Sequence, residues 1–381
     1  MPSAVKPLAP LQLIMLRDSL AGGEPGAHVE QVEVVFADAV DEERVAAAWA
    51  LTVARTEVLR MAFVIAGGEP VGWENAQHVP SLRWNQPAPV LLEKWLLEDR
   101  VRPLLDAGCA PWRAVCWPRD RRFIWTLHHA LLDGRSITRI LRGFLRCLHD
   151  GTSPEPSVVT TWTPPDERTK SMAADFFQQE FAGLKPGGDF PDTPVPPKVI
   201  RCLGKEAAVR FDSVAEAMRV TPATLLTWSW GQAVMKVAGA DTAIVEQIRC
   251  GAPQDGATGF TMNTLPLAIR RATADPLENQ LQKFRARLLA MRGIESIAPY
   301  DLPPVVIDLT NGPWSSMIMT ERGTLAHLAA GRTGVESITL REWPGGSMTA
   351  VAYQLPDLRL EVEGHRNAEL LEAWADSLDA M

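Results

Sequence analysis

The stretch from Phe123 to Leu148, FIWTLHHALLDGRSITRILRGFLRCL, constrains the fold more than any other part of the chain. Residues Phe123 to Leu127 are apolar or β-branched and predict a buried strand. From Ser136 onward Ile137, Ile140, Leu141, Phe144, Leu145 and Leu148 recur at the spacing of one helix face. A core strand therefore feeds a helix, and the junction holds two histidines, an aspartate and a glycine. Polar groups at the mouth of a core strand are costly unless satisfied, so a chemical use is expected.

A neutral imidazole suits proton transfer near pH 7, because its ordinary pKa is about 6.5. Adjacent residues on an extended chain point to opposite sides. One histidine of the pair therefore supports the turn, and the other, His129 rather than His128, is expected to face substrate. Asp133 either orients that imidazole or is held by an arginine, with Arg55, Arg60 and Arg249 as candidates. Gly134 lets the backbone pass closely or take positive φ, and Ser136 is placed to cap the helix.

The run LHHALLDGRS resembles the His-His-x-x-x-Asp-Gly signature of the condensation-domain and chloramphenicol-acetyltransferase-like acyltransferases. Other segments follow in the family's order. PLAPLQLIML (residues 7–16) is similar to its opening, ARTEVLRMAF (54–63) to its Arg-His-x-x-Leu-Arg-Thr-x-Phe motif, APWRAVCW (110–117) to its Pro-x-x-Arg strand, and TGFTMNTLPL (258–267) to its Gly-x-Phe-x-Asn-Thr-Leu-Pro segment. The chain departs from the pattern at Thr56, Met61 and Thr261, with Phe260 one place before the usual aromatic position.

That resemblance implies an α/β (α+β) fold of two chloramphenicol-acetyltransferase-like lobes, forming a V-shaped pseudo-dimer with a central channel. Residues 1–160 would carry the histidine loop, and 161–381 the Asn-Thr-Leu-Pro segment. It implies a condensation-type acyltransferase that joins an acyl thioester to an amine or hydroxyl. The donor would be a phosphopantetheine thioester on a carrier protein or CoA, with no bound cofactor. His129 would take the acceptor's proton or steady the charged intermediate, Gly134 N–H would help hold the oxyanion, and Asn263 with Thr264 would position the acceptor. Ser136 counts among the substrate-binding candidates. Absence of adenylation or carrier segments fits a free-standing enzyme. Rival readings are a recruitment module that binds a carrier protein or enzyme without catalysis, and a hydrolase or dehydratase using the same base.

Composition narrows the classes further. A formal net charge of −8 argues against nucleic-acid binding, and no apolar run approaches the roughly 20 residues of a membrane span. The N-terminus lacks the charged and apolar regions of a signal peptide, so a cytoplasmic location is expected. Five cysteines without a C-x-x-C pair read as reduced thiols. His129 and Asp133 lack further metal ligands at recognisable spacing. A G-x-S-x-G elbow and the phosphate-binding glycine motifs are missing. Arg139, Arg142 and Arg146 read as a solvated helix face, or alternatively as a dock for an acidic carrier protein.

Local signals outline the remaining elements. VEQVEVVF predicts a strand with Val32, Val34 and Phe36 on one side, and Asp41 caps the helix after it. Val58 to Ile65 predicts a second strand. Arg113–Trp117 and Phe123–Leu127 form a hairpin turned by PRDR. Thr221 and Pro222 start a helix ending near Gly239, PGGDFPDTPVPP breaks the chain before it, and the tail from Val335 to Val362 reads as a three-strand meander turned at WPGGS and LPD.

Overall fold

The computed structural model describes residues 5–74, 78–84, 91–106, 108–160, 162–185, 196–251, 255–271, 275–312, 315–321, 325, 328–329, 334–342 and 348–381. The expected WPGGS turn and most of the PGGDFPDTPVPP breaker lie outside them. The chain divides into two compact units. The first comprises residues 1–163, 252–262 and 324–345, and the second comprises 164–251, 263–323 and 346–381.

In chain order the first unit opens with β1 (Val5–Lys6), α1 (Pro10–Leu20), β2 (Val29–Phe36), α2 (Glu42–Arg55), β3 (Met61–Ala66), β4 (Glu69–Glu74), β5 (Leu82–Trp84) and α3 (Leu92–Arg100). It continues with β6 (Trp112–Trp117), β7 (Arg122–His128), α4 (Gly134–Asp150) and β8 (Val158–Val159). Asp41 caps α2 by accepting from the Glu43 and Arg44 N–H groups. The strand expected from Val58 begins only at Met61, because Glu57–Arg60 winds into one 3₁₀ turn.

The second unit contributes α5 (Glu167–Glu180), β9 (Val199–Leu203), α6 (Gly204–Ala217), α7 (Pro222–Ala238) and β10 (Thr242–Cys250). The chain then returns a short strand, β11 (Ala257–Thr258), to the first unit before β12 (Met262–Arg270), α8 (Leu277–Ala290), α9 (Pro304–Thr310) and β13 (Ser315–Glu321). A second return supplies β14 (Val335–Arg341) to the first unit. β15 (Met348–Tyr353), β16 (Leu358–Gly364) and α10 (Asn367–Asp379) complete the second.

The meander expected at the tail is therefore corrected. β15 and β16 form an antiparallel hairpin, but β14 pairs antiparallel with β2, with Ile338 opposite Val34. Alternation marks a segment as a strand without naming its partner.

The main sheet of the first unit has the order β14-β2-β7-β6-β5. Side chains alternate across it. Val32, Val34, Phe36, Trp112, Ala114, Phe123, Trp125 and Leu127 join Trp49 of α2 and Phe144 of α4 in one core. Val115, Trp117 and Ile124 face Leu96 and Trp95 of α3 on the other side. There Arg113 donates to Asp99 at 2.7 Å, and the Thr126 hydroxyl donates to the same carboxylate at 2.7 Å. The arginine of the Pro-x-x-Arg strand is thus spent on bracing α3.

The sheet of the second unit runs β12-β10-β13-β15-β16-β9, with β10, β13 and β15 parallel. Thr221 caps α7 through the Thr224 N–H, with Pro222 in the first turn. Gly231 of α7 lies so close to β12 that a Cβ there would collide with Ile269 Cδ1 and stand 2.8 Å from Ile269 Cβ. The Ile269 Cβ cannot swing aside, so Gly231→Ala is expected to destabilise the fold by about 1–3 kcal/mol in urea unfolding, although alanine is the better helix former.

Candidate active site

β7 ends at His128, one 3₁₀ turn (His129–Leu131) follows, and α4 starts at Gly134. The two histidines take opposite sides of the strand. His128 is 2% exposed. Its Nδ1 accepts from the Ala130 N–H and its Nε2 lies 3.0 Å from Ser19 Oγ on α1. Burial, together with His28 and His129 nearby, pushes its pKa down to about 3. The unfolded chain protonates here near 6.5. His128 therefore contributes stability that is intact above about pH 6.5 and is lost as pH falls toward 3. Thermal melts between pH 7 and 4 should show this loss, and His128→Gln should flatten it.

His129 continues the face of Trp125 and Leu127. Its backbone N–H donates to His28 O at 2.7 Å. Its Nδ1 stands 2.9 Å from Glu30 Oε1 and 3.1 Å from Leu132 O. Both partners are acceptors, so Nδ1 carries the hydrogen and Nε2 is the ring nitrogen left available. The edge of the ring packs against Phe260 at 5.6 Å between centroids. The side chain remains 19% exposed, whereas Glu30 is 3% exposed. Burial alone would lower the ring's pKa, but Glu30 beside it, with Glu342 and the Leu132 carbonyl, outweighs burial and lifts it to about 9.

Asp133 does not supply the partner of His129. It is the N-cap of α4: Oδ1 accepts from the Ser136 N–H at 2.8 Å, while Oδ2 accepts from Thr261 N–H at 3.0 Å and the Thr261 hydroxyl at 2.7 Å. The arginine expected to hold Asp133 is replaced by Thr261. Arg60 instead donates to the Val53, Ala54 and Thr56 carbonyls at the end of α2. Arg55 is exposed, and Arg249 is bound by Glu295 at 2.9 Å in the second unit.

Ser136 is the third residue of α4 rather than its cap, and its hydroxyl accepts from Gly259 N–H at 3.0 Å. Asp133 N–H donates to Gly259 O at 3.0 Å. The Gly259–Thr261 segment is thereby fastened to the histidine loop, which seats Phe260 against His129. Gly259 has φ +152°, and its Cβ position lies 3.1 Å from Thr160 Cβ, so this glycine is needed for a close approach.

Gly134 differs from the expectation of strain. Its φ is not positive, and a Cβ there would meet nothing within 4 Å. It opens α4, where helical N–H groups lack internal acceptors.

In the second unit Asn263 donates to the Glu295 and Ile297 carbonyls at 2.8 and 2.6 Å, and its Oδ1 accepts from Thr264 N–H at 3.0 Å. Both amide hydrogens are thus engaged in holding the turn at 295–297. Asn263 and Thr264 are 6% and 8% exposed.

Glu30 is the residue that motif reasoning missed. The face marked by Val32, Val34 and Phe36 extends back by two residues onto Glu30, a carboxylate on the apolar side of a core strand. Along α4, Arg142 and Arg146 are exposed, and Arg139 lies 3.7 Å from Glu155. Among the described residues no disulfide joins any of the five cysteines. Nor do three His, Cys, Asp or Glu side chains gather there as a metal site would need, and no described helix is long and apolar enough to cross a membrane.

Comparison with known proteins adds to this geometry. Residues 3–302 match the family model described as the Condensation domain. Nonribosomal peptide synthetase 5 of Aspergillus fumigatus is 28% identical over 271 residues, covering 64% of this chain and 12% of that protein. A linear gramicidin synthase of Brevibacillus parabrevis is 27% identical over 350 residues, covering 82% of this chain and 4% of its own length. Both curated relatives are therefore many times longer than the segment they share with this chain.

Among solved structures, the first condensation domain of the calcium-dependent antibiotic synthetase has a TM-score of 0.76 at 16% identity, covering 99% of this chain and 95% of that one. The epimerization domain from the third module of tyrocidine synthetase B has a TM-score of 0.75 at 15% identity, with coverage of 99% and 95%. The histidine loop at a strand-to-helix junction, the shared fold and a family match over most of the sequence converge on one assignment: the chain belongs to the condensation domain family.

Proposed function

We propose that the chain joins an acyl thioester to an amine or hydroxyl acceptor, forming an amide or ester. The observation that carries this reading is the presentation of His129. Its Nδ1 is tied to Glu30 and Leu132, leaving Nε2 as the one ring nitrogen that can meet a substrate. A thioester is already activated, so the enzyme's task is to bring two reactants together and manage one proton. His129 acts on the reacting centre, and Gly134 N–H, at the start of α4, adds a donor toward the developing oxyanion. Ser136 and Asp133 support the loop. In the second unit Asn263 holds the turn at 295–297, and Thr264 is its hydrogen-bonded neighbour.

The donor is a phosphopantetheine thioester on a carrier protein or CoA, and the arginines of α4 are the face offered to an acidic carrier. The test is to incubate the protein with acyl-CoA or an acyl-loaded carrier and a panel of amines and alcohols, and to analyse the mixtures by mass spectrometry. A new mass equal to acyl plus acceptor, lost in His129→Ala, is expected. Free acid alone would turn the reading to hydrolysis. Carrier binding without any product would turn it to recruitment.

A further inference from the structure

The Glu30 side chain is nearly sealed from solvent, and its Oε2 has no hydrogen-bond partner among the described residues. Its Oε1 meets His129 Nδ1 at 2.9 Å. A buried carboxylate needs a countercharge, because desolvating a lone ion is far costlier than desolvating a paired one. With a neutral ring beside it, this site would hold a bare negative charge; with an imidazolium it is balanced. The charged and titratable groups acting on the ring are Glu30 from β2 and Glu342 just past β14, both acidic. His128, the last residue of β7 and the ring's chain neighbour, is held neutral, and His28, whose carbonyl takes the His129 N–H, is paired with Asp18 at 2.9 Å.

We propose that Glu30 is a positioning residue that keeps His129 as an imidazolium, so that Nε2–H donates to the oxygen of the tetrahedral intermediate instead of removing a proton from the acceptor. The chemical consequence rests on the acyl-transfer reading; the ion pair itself does not. In the transfer, the acceptor's lone pair forms the new bond to the carbonyl carbon. The carbonyl π pair moves onto oxygen, where Nε2–H holds it. Collapse returns that pair to C=O and breaks the C–S bond, and the thiolate gains the proton that the acceptor sheds. Thioester and acceptor thus give amide or ester and thiol, with His129 unchanged.

The test is an NMR titration of the full chain labelled with ¹⁵N-histidine, the His129 signal being assigned by its absence from His129→Asn. The wild-type ring is expected to keep both protons through neutrality and to lose one near pH 9. In Glu30→Gln the midpoint should fall toward the ordinary histidine value of about 6.5. A wild-type ring already neutral at pH 7, or a midpoint that Glu30→Gln leaves in place, would overturn the proposal. The wild-type titration does not depend on Glu30→Gln, so a ring already neutral at pH 7 overturns the proposal even where that variant fails to fold. It also needs no substrate, so a chain without transferase activity but with a titration near 9 would sink the acyl-transfer reading and leave the ion pair standing.

Discussion

His129→Ala is expected to lower acyl transfer by about 10²- to 10⁴-fold, the usual contribution of a positioned acid, base or oxyanion donor. It should also destabilise the protein, on the order of 3–5 kcal/mol, because Glu30 is left as an uncompensated buried charge. The two losses separate in the double variant. Adding Glu30→Gln removes the stranded charge and should recover much of the stability while recovering none of the rate. Urea unfolding and product formation on the same four proteins test this. A double variant no more stable than His129→Ala would mean that the pair has little coupling.

Trp49→Ala is expected to cost about 3–5 kcal/mol in chemical denaturation. Trp49 of α2 is 2% exposed and lies 5.6 Å from Trp112, 5.0 Å from Phe123, 5.4 Å from Trp125 and 5.3 Å from Phe144, centroid to centroid. Phe123 and Trp125 belong to β7 and Phe144 to α4, so this ring packs against both of the elements that flank the histidine loop. Its Nε1 has no hydrogen-bond partner among the described residues. The loss is therefore one of packing, and Trp49→Phe, which keeps a ring there, should cost clearly less.

Much of this arrangement was legible in the sequence wherever the cause is local. The β7–α4 junction, the caps at Asp41 and Thr221 and the β6–β7 hairpin each follow from residues within a few positions of one another. What escaped depends on distant partners. The Thr261 hydroxyl reaches a carboxylate 128 positions earlier, a pairing that no pattern near Asp133 announces. Pairing of β14 with β2 spans about 300 residues and has no signature within the strand itself. Glu30 was readable in principle, as an acid in register with Val32, Val34 and Phe36, yet the motif drew attention to the carboxylate nearest in sequence.

The pH dependence of the folded state checks the same pair from the other side. His129's share of stability is complete below about pH 6.5 and is lost as pH rises through about 9, the reverse of His128. Stability is thus predicted to decline toward both ends of the range, for opposite reasons at adjacent residues.

The most direct measurement is the pH–rate profile of acyl transfer to an alcohol acceptor, which does not titrate in the range observed. If a charged His129 steadies the intermediate, the rate holds through neutrality and falls as pH passes about 9. A rate that instead climbs through pH 6.5 to a plateau would identify His129 as an ordinary neutral base and contradict the account.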